Sequence, residues 1–323
     1  MASICRENGK FQTGLGHLET SLEIARRLGD ILLEAVLLNE LGFDYGRFAT
    51  FQDKARATLE QSLALRSRAG FDQSAPLYNL GWLFTRQGRW QEAETCFRKA
   101  LNASGESDQA VYRGSIGSLY EFQEKYAQAE MELLYRLEVL EKSAPAPNLF
   151  GYTGIAVNYA LEGHETQSRH YLEIAQTLFE RETHPRKKWW GLFEIAEAYR
   201  MLKDYATAQT ACQQAIEWFQ NQAEDAENLI YLAEARLVMG KILVDLGQPQ
   251  DALALIEKAR AAFETCQHYA LGETLFALGK AQQGLGESSR AKEYFTAALA
   301  EFRRLELHHK AREAQAALET LTP

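Results

Sequence analysis

Two carboxylates stand one helical turn apart at Glu194 and Glu197, in the stretch WWGLFEIAEAYR (residues 189–200). Side chains three positions apart share one face of a helix, so both acids could face the same groove. General acid–base catalysis would also require burial that separates their pKa values. A solvated helix face is the commoner environment for such a pair, and we expect it here.

Other motifs associated with catalysis are incomplete. The glycine pairs in TGLGH (13–17) and QGLGES (283–288) lack a preceding strand and the lysine of a P-loop. None of the seven histidines belongs to an HExxH motif, and the four cysteines form no CxxC pair. We therefore predict a protein that is not an enzyme, with no catalytic residue, no bound cofactor and no metal site.

A cluster of basic and aromatic residues is the most unusual local feature. Arg186, Lys187 and Lys188 precede Trp189 and Trp190 in the stretch THPRKKWW. At an exposed junction between a loop and a helix, these side chains could hold an acidic or aromatic partner segment. The alternative is that Trp189 packs under the neighbouring helices while the basic residues stay solvated. The sequence leaves both interpretations open.

The composition disfavours several classes of protein. The 323 residues carry a formal net charge of −9, whereas nucleic-acid binding needs concentrated Lys and Arg. No uninterrupted apolar run approaches the length of a membrane-spanning helix, and the sequence shows no signal peptide. We therefore expect a cytoplasmic protein that binds neither nucleic acid nor membrane.

Repeated pairs of helices are the elements that must position any functional residue. A Leu-Gly pair or a close variant recurs every 36 to 44 residues, as at Leu80-Gly81, and a second small residue follows it, as at Ala93. The residues of recurring size lie three or four positions apart, which places them on one face of a helix. The first small residues are Gly42, Gly81, Gly117, Ala156, Ala196, Gly240 and Gly279. We predict a helical hairpin in each unit, in which close packing offsets the low helix propensity of glycine.

One unit departs from this pattern. Three positions after the large core residue of its second helix, Leu133, this unit has Arg136, where the other units have Ala or Ser. Either the hairpins stack at a different angle there, or the arginine extends its charged end to the surface.

The order of residue sizes resembles the tetratricopeptide repeat (TPR) family. The unit that carries the resemblance best has Leu77, Leu80-Gly81, Phe84, Gly88, Ala93, Phe97 and Ala100, without a closing proline. The resemblance implies an all-α, right-handed superhelix (an α-solenoid) that spans residues 1–323 as a single array. Residues 1–30 would form an incomplete first hairpin, residues 31–307 seven hairpins, and residues 308–323 a capping helix. The long units are similar to the TPR arrays of bacterial signal-transduction ATPases and of kinesin light chains.

The start of the array lacks a partner helix. Residues 11–30 match the second helix of a hairpin, and a solenoid end normally needs a polar cap. We expect that the chain is a fragment of a longer protein, or that another domain or subunit covers Leu15, Leu18 and Leu22.

A concave binding groove is the functional site that the resemblance implies, because the first helices of TPR hairpins line that surface. Its expected residues are Asn39, Arg47, Tyr78, Asn79, Trp82, Arg86, Phe122, Phe150, Trp190, Glu197, Arg200, Lys241 and Lys280. Aromatic residues beside arginine commonly mark recognition surfaces. We predict a non-catalytic scaffold in bacterial signal transduction that binds a protein or peptide segment there. The alternative is a small-molecule sensor domain of a larger regulatory ATPase or transcription regulator.

Overall fold

The computed structural model describes residues 11–46, 51–143, 149–222 and 226–321, and the regular secondary structure of these residues is entirely helical. The helices are α1 (Phe11–Leu28), α2 (Ile31–Gly46), α3 (Gln52–Ala69), α4 (Ser74–Arg86), α5 (Trp90–Ala103), α6 (Glu106–Phe122), α7 (Tyr126–Ser143), α8 (Leu149–Leu161), α9 (Glu165–Arg181), α10 (Pro185–Met201), α11 (Tyr205–Asn221), α12 (Ala226–Asp245), α13 (Pro249–Cys266), α14 (Leu271–Gly284), α15 (Ser288–Arg304) and α16 (His308–Thr320). The predicted all-α fold is confirmed. No helix among these residues is both long and apolar enough to cross a membrane.

The helices form successive pairs from α2–α3 to α14–α15, with α1 before them and α16 after them. Nearly all first helices contact the first helix of the next pair, as α8 does with α10 and α12 with α14. The second helices, in the described part of the chain, show no comparable contact with one another. Since the inner side of a curved stack has the shorter arc, the first helices form the concave inner layer and the second helices form the outer layer.

The small residues lie where the two helices of a pair approach most closely. A Cβ atom added to Gly81 would lie 2.5 Å from Cε1 of Phe97, and one added to Gly279 would lie 2.5 Å from Cδ1 of Phe295. The side chains of Phe97 and Phe295 are fully buried and have no room to withdraw. The predicted reason for a glycine inside a helix is therefore confirmed: the partner helix fills the space that a side chain would need.

The N-terminal end corrects one expectation. Leu15, Leu18 and Leu22 are buried within the chain itself, at 6%, 5% and 8% exposure. The following helix α2 packs on α1 and covers them, so these three residues need no external cover. The apolar residues that do stay exposed at this end are Ile24, Leu28, Ile31, Leu32, Leu33 and Val36.

Two distant parts of the array meet at a contact that we call the seam. It joins residues 86–90 and 122–124, near the ends of early hairpins, to residues 268–269 and 305–310 near the C-terminal end. Nε1 of Trp90 donates to the carbonyl oxygen of Leu305 at 2.8 Å, although the two residues are 215 positions apart. The ring centroids of Phe122 and Tyr269 are 4.6 Å apart. The array therefore closes on itself, because its early turns contact its C-terminal end.

Glu124 lies in the turn of one hairpin, and its side chain contacts the C-terminal part of the seam. Most hairpin turns in the described part of the chain use a glycine with positive φ, as at Gly88, whereas Glu124, like Lys203, is a non-glycine residue with a φ of 61°. A non-glycine residue in this region is strained by about 1 kcal/mol or more. Its carboxylate accepts hydrogen bonds from the backbone N–H groups of His309 and Lys310 at 2.8 and 2.9 Å. These contacts cap the first turn of α16 and offset the strain.

Candidate functional site

A continuous chain of alternating charges crosses the inner layer, and we call it the ion chain. Its members, in order, are Asp245, Arg200, Glu197, Lys241, Glu273 and Lys310. Nη1 of Arg200 lies 2.7 Å from Oδ2 of Asp245, and Nζ of Lys241 lies 3.3 Å from Oε2 of Glu273. The chain links α10, α12, α14 and α16, so each charge has an opposite charge on a neighbouring helix or on its own next turn.

A second group of charges on the inner layer has no such contacts, and we call it the unpaired cluster: Glu121, Arg136, Glu194 and Glu234. Among the described residues, no acid of this cluster forms an ion pair with Arg136 or Arg86, although the charges of these groups influence one another. Glu194 accepts a hydrogen bond from the hydroxyl of Thr153. The Oε1 atom of Glu121 and the Nε atom of Arg136 are buried and have no hydrogen-bond partner in the part of the chain that the structure describes.

The electrostatics of the two groups are opposite. Burial raises the pKa of Glu194 to about 7 and, with the charge of Glu194 added, the pKa of Glu234 to about 8. Burial alone would also raise the pKa of Glu197, but the adjacent Arg200 and Lys241 lower it to about 2. The expected solvated face for Glu194 and Glu197 is therefore wrong, because both carboxyl groups lie in the low-dielectric inner layer.

The separation of these pKa values does not create an acid–base pair. Arg200 and Lys241 contact both oxygens of Glu197 and hold its pKa at about 2, so this carboxylate is a weak base near neutral pH. Strong structural ion pairs shift pKa values as catalytic sites do. No group of three or more His, Cys, Asp and Glu side chains in the described part of the chain is arranged to hold a metal ion.

Aromatic residues form two further parts of the inner layer. Tyr78 and Trp82 both contact the ring of Phe97, with centroids 5.9 and 5.6 Å apart. Trp190 stacks on Tyr231 of the next first helix at 5.6 Å, with an interplanar angle of 18°. The rings of Tyr78, Trp82, Trp190 and Tyr231 are all half-buried.

The structure brings together some of the predicted groove residues and separates others. Glu197, Arg200 and Lys241 meet in the ion chain, whereas Arg86 and Phe122 belong to the seam. Asn39 is buried at 7% exposure, and its Oδ1 accepts a hydrogen bond from Nδ2 of Asn79 at 3.0 Å. Lys280 is exposed and lies over the ring of Phe276. Arg47 and the side chain of Phe150 lie outside the described residues.

The basic and aromatic cluster at the start of α10 follows the packing interpretation. Trp189 stacks on Trp218 at 6.2 Å and meets the ring of Phe179 at 6.0 Å, so it packs against both neighbouring outer helices. Nζ of Lys188 lies 4.7 Å above the ring of Phe179. The side chain of Arg186 lies outside the described residues.

Sequence reasoning assigned Glu194 to a solvated face and did not identify Glu234 and Glu273, although all three share one helical stripe with the predicted groove residues. The predicted residues were taken from positions close to the small residue of each unit, as Glu197 and Lys241 are. Glu194 precedes that residue by two positions, and Glu234 and Glu273 precede it by six. Helical periodicity places all of these positions on one face, so extending the stripe by one turn would have found them. Sequence reasoning did identify Arg136, because it stands at a position where the other units have Ala or Ser. His268 and Tyr269 precede α14 and carried no such signal.

These features define the class of protein as an α-solenoid of helical hairpins with a charged and aromatic inner surface. A family profile described as tetratricopeptide repeat matches residues 34–106, 72–142, 188–265 and 231–304. The chain belongs to the tetratricopeptide repeat family. Proteins built from these repeats are generally non-catalytic scaffolds.

Several solved structures share the fold. A Rap protein complexed with Competence and Sporulation Factor has a TM-score of 0.65 at 12% identity, with 99% of this chain and 95% of that chain aligned. NprR in complex with its cognate peptide NprX has a TM-score of 0.58 at 14% identity, over 82% and 78% of the two chains. A signal transduction ATPase with numerous domains (STAND) and a TPR sensor, from Pyrococcus horikoshii, has a TM-score of 0.54 at 14% identity, over 96% of this chain and 52% of that one. At these identities the likeness shows the fold alone. None of the curated proteins matches the sequence.

Proposed function

We propose that the chain is a recognition scaffold that binds a peptide or protein segment along the inner surface of the closed array. The observation that supports this most directly is the stripe of half-buried aromatic and charged side chains on successive first helices, such as Trp82, Trp190 and Glu194. Half-buried aromatic rings supply contact area at low cost in conformational entropy. The likeness to NprR also supports the proposal, since that protein was captured with its cognate peptide.

The proposal is tested by selecting ligands from a random peptide library displayed on phage, with the full chain immobilised. Replacing Trp190 with alanine is expected to weaken the selected peptides at least tenfold, because the stacked pair with Tyr231 is lost. Tyr135→Ala is the matched control, since this ring is exposed on the outer helix α7. If Trp190→Ala retains the selected peptides as well as Tyr135→Ala does, the inner surface is not the binding site.

A small-molecule sensor is the second candidate function. The likeness to a STAND protein with a TPR sensor favours it, although this chain spans about half of that protein. Such a ligand would raise the unfolding temperature of the isolated chain by mass action. A thermal-shift screen against a metabolite collection tests this function, and Trp190→Ala should abolish any shift that arises from the inner surface.

The proposal also includes a cytoplasmic location in a bacterium, a role in signal transduction, and no binding to nucleic acid. The thiols of Cys96 and Cys212 are free, which agrees with a reducing compartment. We also propose that a further domain or subunit contacts the N-terminal end, where Leu28, Ile31 and Leu32 are exposed. Crosslinking from a cysteine introduced at Leu28 would test this contact in the native protein.

A further inference from the structure

Two adjoining cavities flank α16 at the C-terminal end of the array. The first has a volume of about 480 Å³ and is lined by residues of α15 and α16, including Leu299. The second, of about 460 Å³, lies at the seam and is lined from both of its sides, by Trp90 and by Leu305. His308 and Arg312 line both cavities. We call the two cavities together the terminal groove.

The first cavity carries positive charge that the described part of the chain does not neutralise. Its charged or ionisable lining residues are Arg303, His308 and Arg312, and no described carboxylate lines it. Arg303 and Arg312 are exposed, and neither forms an ion pair with a described residue. The neighbouring Arg304, in contrast, lies 2.7 Å from a carboxylate oxygen of Glu301. The two guanidinium groups at the cavity are therefore free to bind a carboxylate from outside the chain.

The second cavity has no such excess of charge. Lys125 and Arg312 are balanced there by Glu124 and Glu306. Both carboxylate oxygens of Glu124 already accept hydrogen bonds from backbone N–H groups of α16. Oε2 of Glu306 lies 3.5 Å from Nε2 of Gln91, across the seam. An anionic ligand therefore fits the first cavity, and the second suits an uncharged continuation of it.

We propose that the terminal groove binds an acidic segment of a partner protein. Its carboxylates pair with Arg303 and Arg312, and an aliphatic side chain beside them lies over Leu299 and Ala311. A guanidinium group suits this role because its planar donors match the two oxygens of a carboxylate. Since α16 is the last helix that the structure describes, no described helix covers this face. The site is separate from the inner surface and does not depend on the proposed function.

Binding should also hold the seam closed. Because the cavities adjoin at His308 and Arg312, a segment that continues from the first into the second contacts both sides of the seam. The closed array then binds the segment more tightly than an opened array does, and mass action favours closure. Opening the seam would release the backbone N–H groups of His309 and Lys310 from Glu124. Hydrogen exchange at these two positions therefore reports closure.

The test uses two pools of heptapeptides that are N-acetylated and C-amidated. In the first pool, glutamate stands on both sides of a central leucine, and the other positions vary among uncharged residues. The second pool has glutamine in place of both glutamates. Both pools are applied at about 20 mM salt to the immobilised full chain, and the retained peptides are quantified by mass spectrometry. Because each exposed ion pair contributes little, we expect about tenfold greater retention of the glutamate pool, and a smaller ratio at about 500 mM salt.

Matched variants assign the preference to the terminal groove. The double variant Arg303→Gln with Arg312→Gln should reduce it to less than twofold. Arg290→Gln, at an exposed position of α15 outside the groove, should leave it unchanged. Trp190→Ala, on the inner surface, should leave it unchanged as well. All of these proteins are checked for folding by thermal unfolding.

Hydrogen exchange tests the closure of the seam. The best-retained glutamate peptide is added at about ten times its Kd, and the exchange of the backbone N–H groups of His309 and Lys310 is followed by NMR. We expect about tenfold slower exchange at both positions, and no change in the distant helix α9. Unchanged exchange with the peptide bound would show that the segment does not bridge the seam.

The remaining outcomes also decide the proposal. Equal retention of the two pools would overturn an acidic occupant. A preference that persists in the double variant, or that is lost in Trp190→Ala, would overturn the location. Analytical ultracentrifugation of the free chain tests the other occupant, because a dimer that the double variant dissociates would show a second copy in the groove instead. None of these results would remove binding at the inner surface, so the proposed function is judged separately.

Discussion

The ion chain and the unpaired cluster meet on one helix, where Glu197 and Glu194 lie a single turn apart. Burial raises the pKa of both carboxyl groups, yet the pKa of Glu197 is about 2 and that of Glu194 is about 7. The difference arises because Arg200 and Lys241 contact Glu197 directly, whereas Arg136 does not contact Glu194. Direct contact with a cation, rather than depth within the array, therefore decides the charge of an inner carboxyl group.

The same difference gives the two regions opposite effects on stability. The folded pKa of Glu197 is below the usual value of 4.5, so its stabilising contribution is present above pH 4.5 and is lost as the pH falls toward 2. The folded pKa of Glu194 is above 4.5, so this group favours the folded state at low pH and costs stability as the pH rises through 7. The ion chain and the unpaired cluster can thus be distinguished by how the stability of the protein depends on pH.

The largest expected effect comes from opening the seam. Trp90 is buried, and Trp90→Ala removes its hydrogen bond to Leu305 and its contact with Tyr269. We expect a loss of about 3–5 kcal/mol in the free energy of unfolding, measured in urea, and a larger radius of gyration in small-angle X-ray scattering. Lys99→Ala, at an exposed position of the same helix α5, is the control and should change little. An unchanged radius together with a loss below about 1 kcal/mol would show that the seam does not hold the array closed.

The next effect concerns the ion chain. Lys241→Met leaves Glu197 and Glu273 without the cation they share, so two partly buried carboxylates repel each other. We expect this variant to lose about 2–3 kcal/mol at pH 7, toward the low end for a broken buried pair because Lys241 is partly exposed. The loss should decrease as the pH falls below 4.5. Lys280→Met, at an exposed lysine outside the chain, should cost less than about 0.5 kcal/mol.

A smaller effect of opposite sign is expected in the unpaired cluster. Glu194→Gln removes a carboxylate that is costly to ionise, so the variant should be about 2 kcal/mol more stable than the parent at pH 8.5. At pH 4.5 the parent carboxyl is protonated, and the two proteins should have similar stability. Urea titrations at both pH values measure the difference. A destabilised variant at pH 8.5 would show that Glu194 has a compensating partner, and the contrast between the two regions would fail.

The smallest effect separates packing from charge. Gly114→Ala would displace the flexible side chain of Arg136, and the gain in helix propensity should keep the change in stability within about 1 kcal/mol. The pKa of Glu194 should nevertheless rise, because Arg136 is the cation that lowers it. NMR titration of the glutamate side chains measures this shift. Gly16→Ala, where no atom would lie within 4 Å of the new Cβ, is the control and should leave the pKa of Glu194 unchanged.

Part of the candidate site was accessible from the sequence. The helical stripe placed Trp190, Glu197, Arg200 and Lys241 on the inner layer, because side-chain direction within a helix follows from local spacing. The pairing of these charges was not accessible, since a shift of one or two ångströms between helices decides whether two groups touch. The same limit explains why Asn39, which the stripe assigned to the groove, is buried against Asn79 instead.

The repeated order of small and large residues by itself determined that this chain forms helical hairpins, because each pair, such as Gly81 with Phe97, lies within one unit. Only the tertiary structure decided that residue 90 meets residue 305 and that Glu194 lies near enough to Glu121 and Glu234 for its charge to raise the pKa of both. Small rotations between neighbouring repeats add up along a solenoid, and their sum sets where its distant parts meet. No local sequence pattern specifies the sum of these rotations. The closure of the array, the ion chain and the unpaired cluster are therefore seen only in the folded structure.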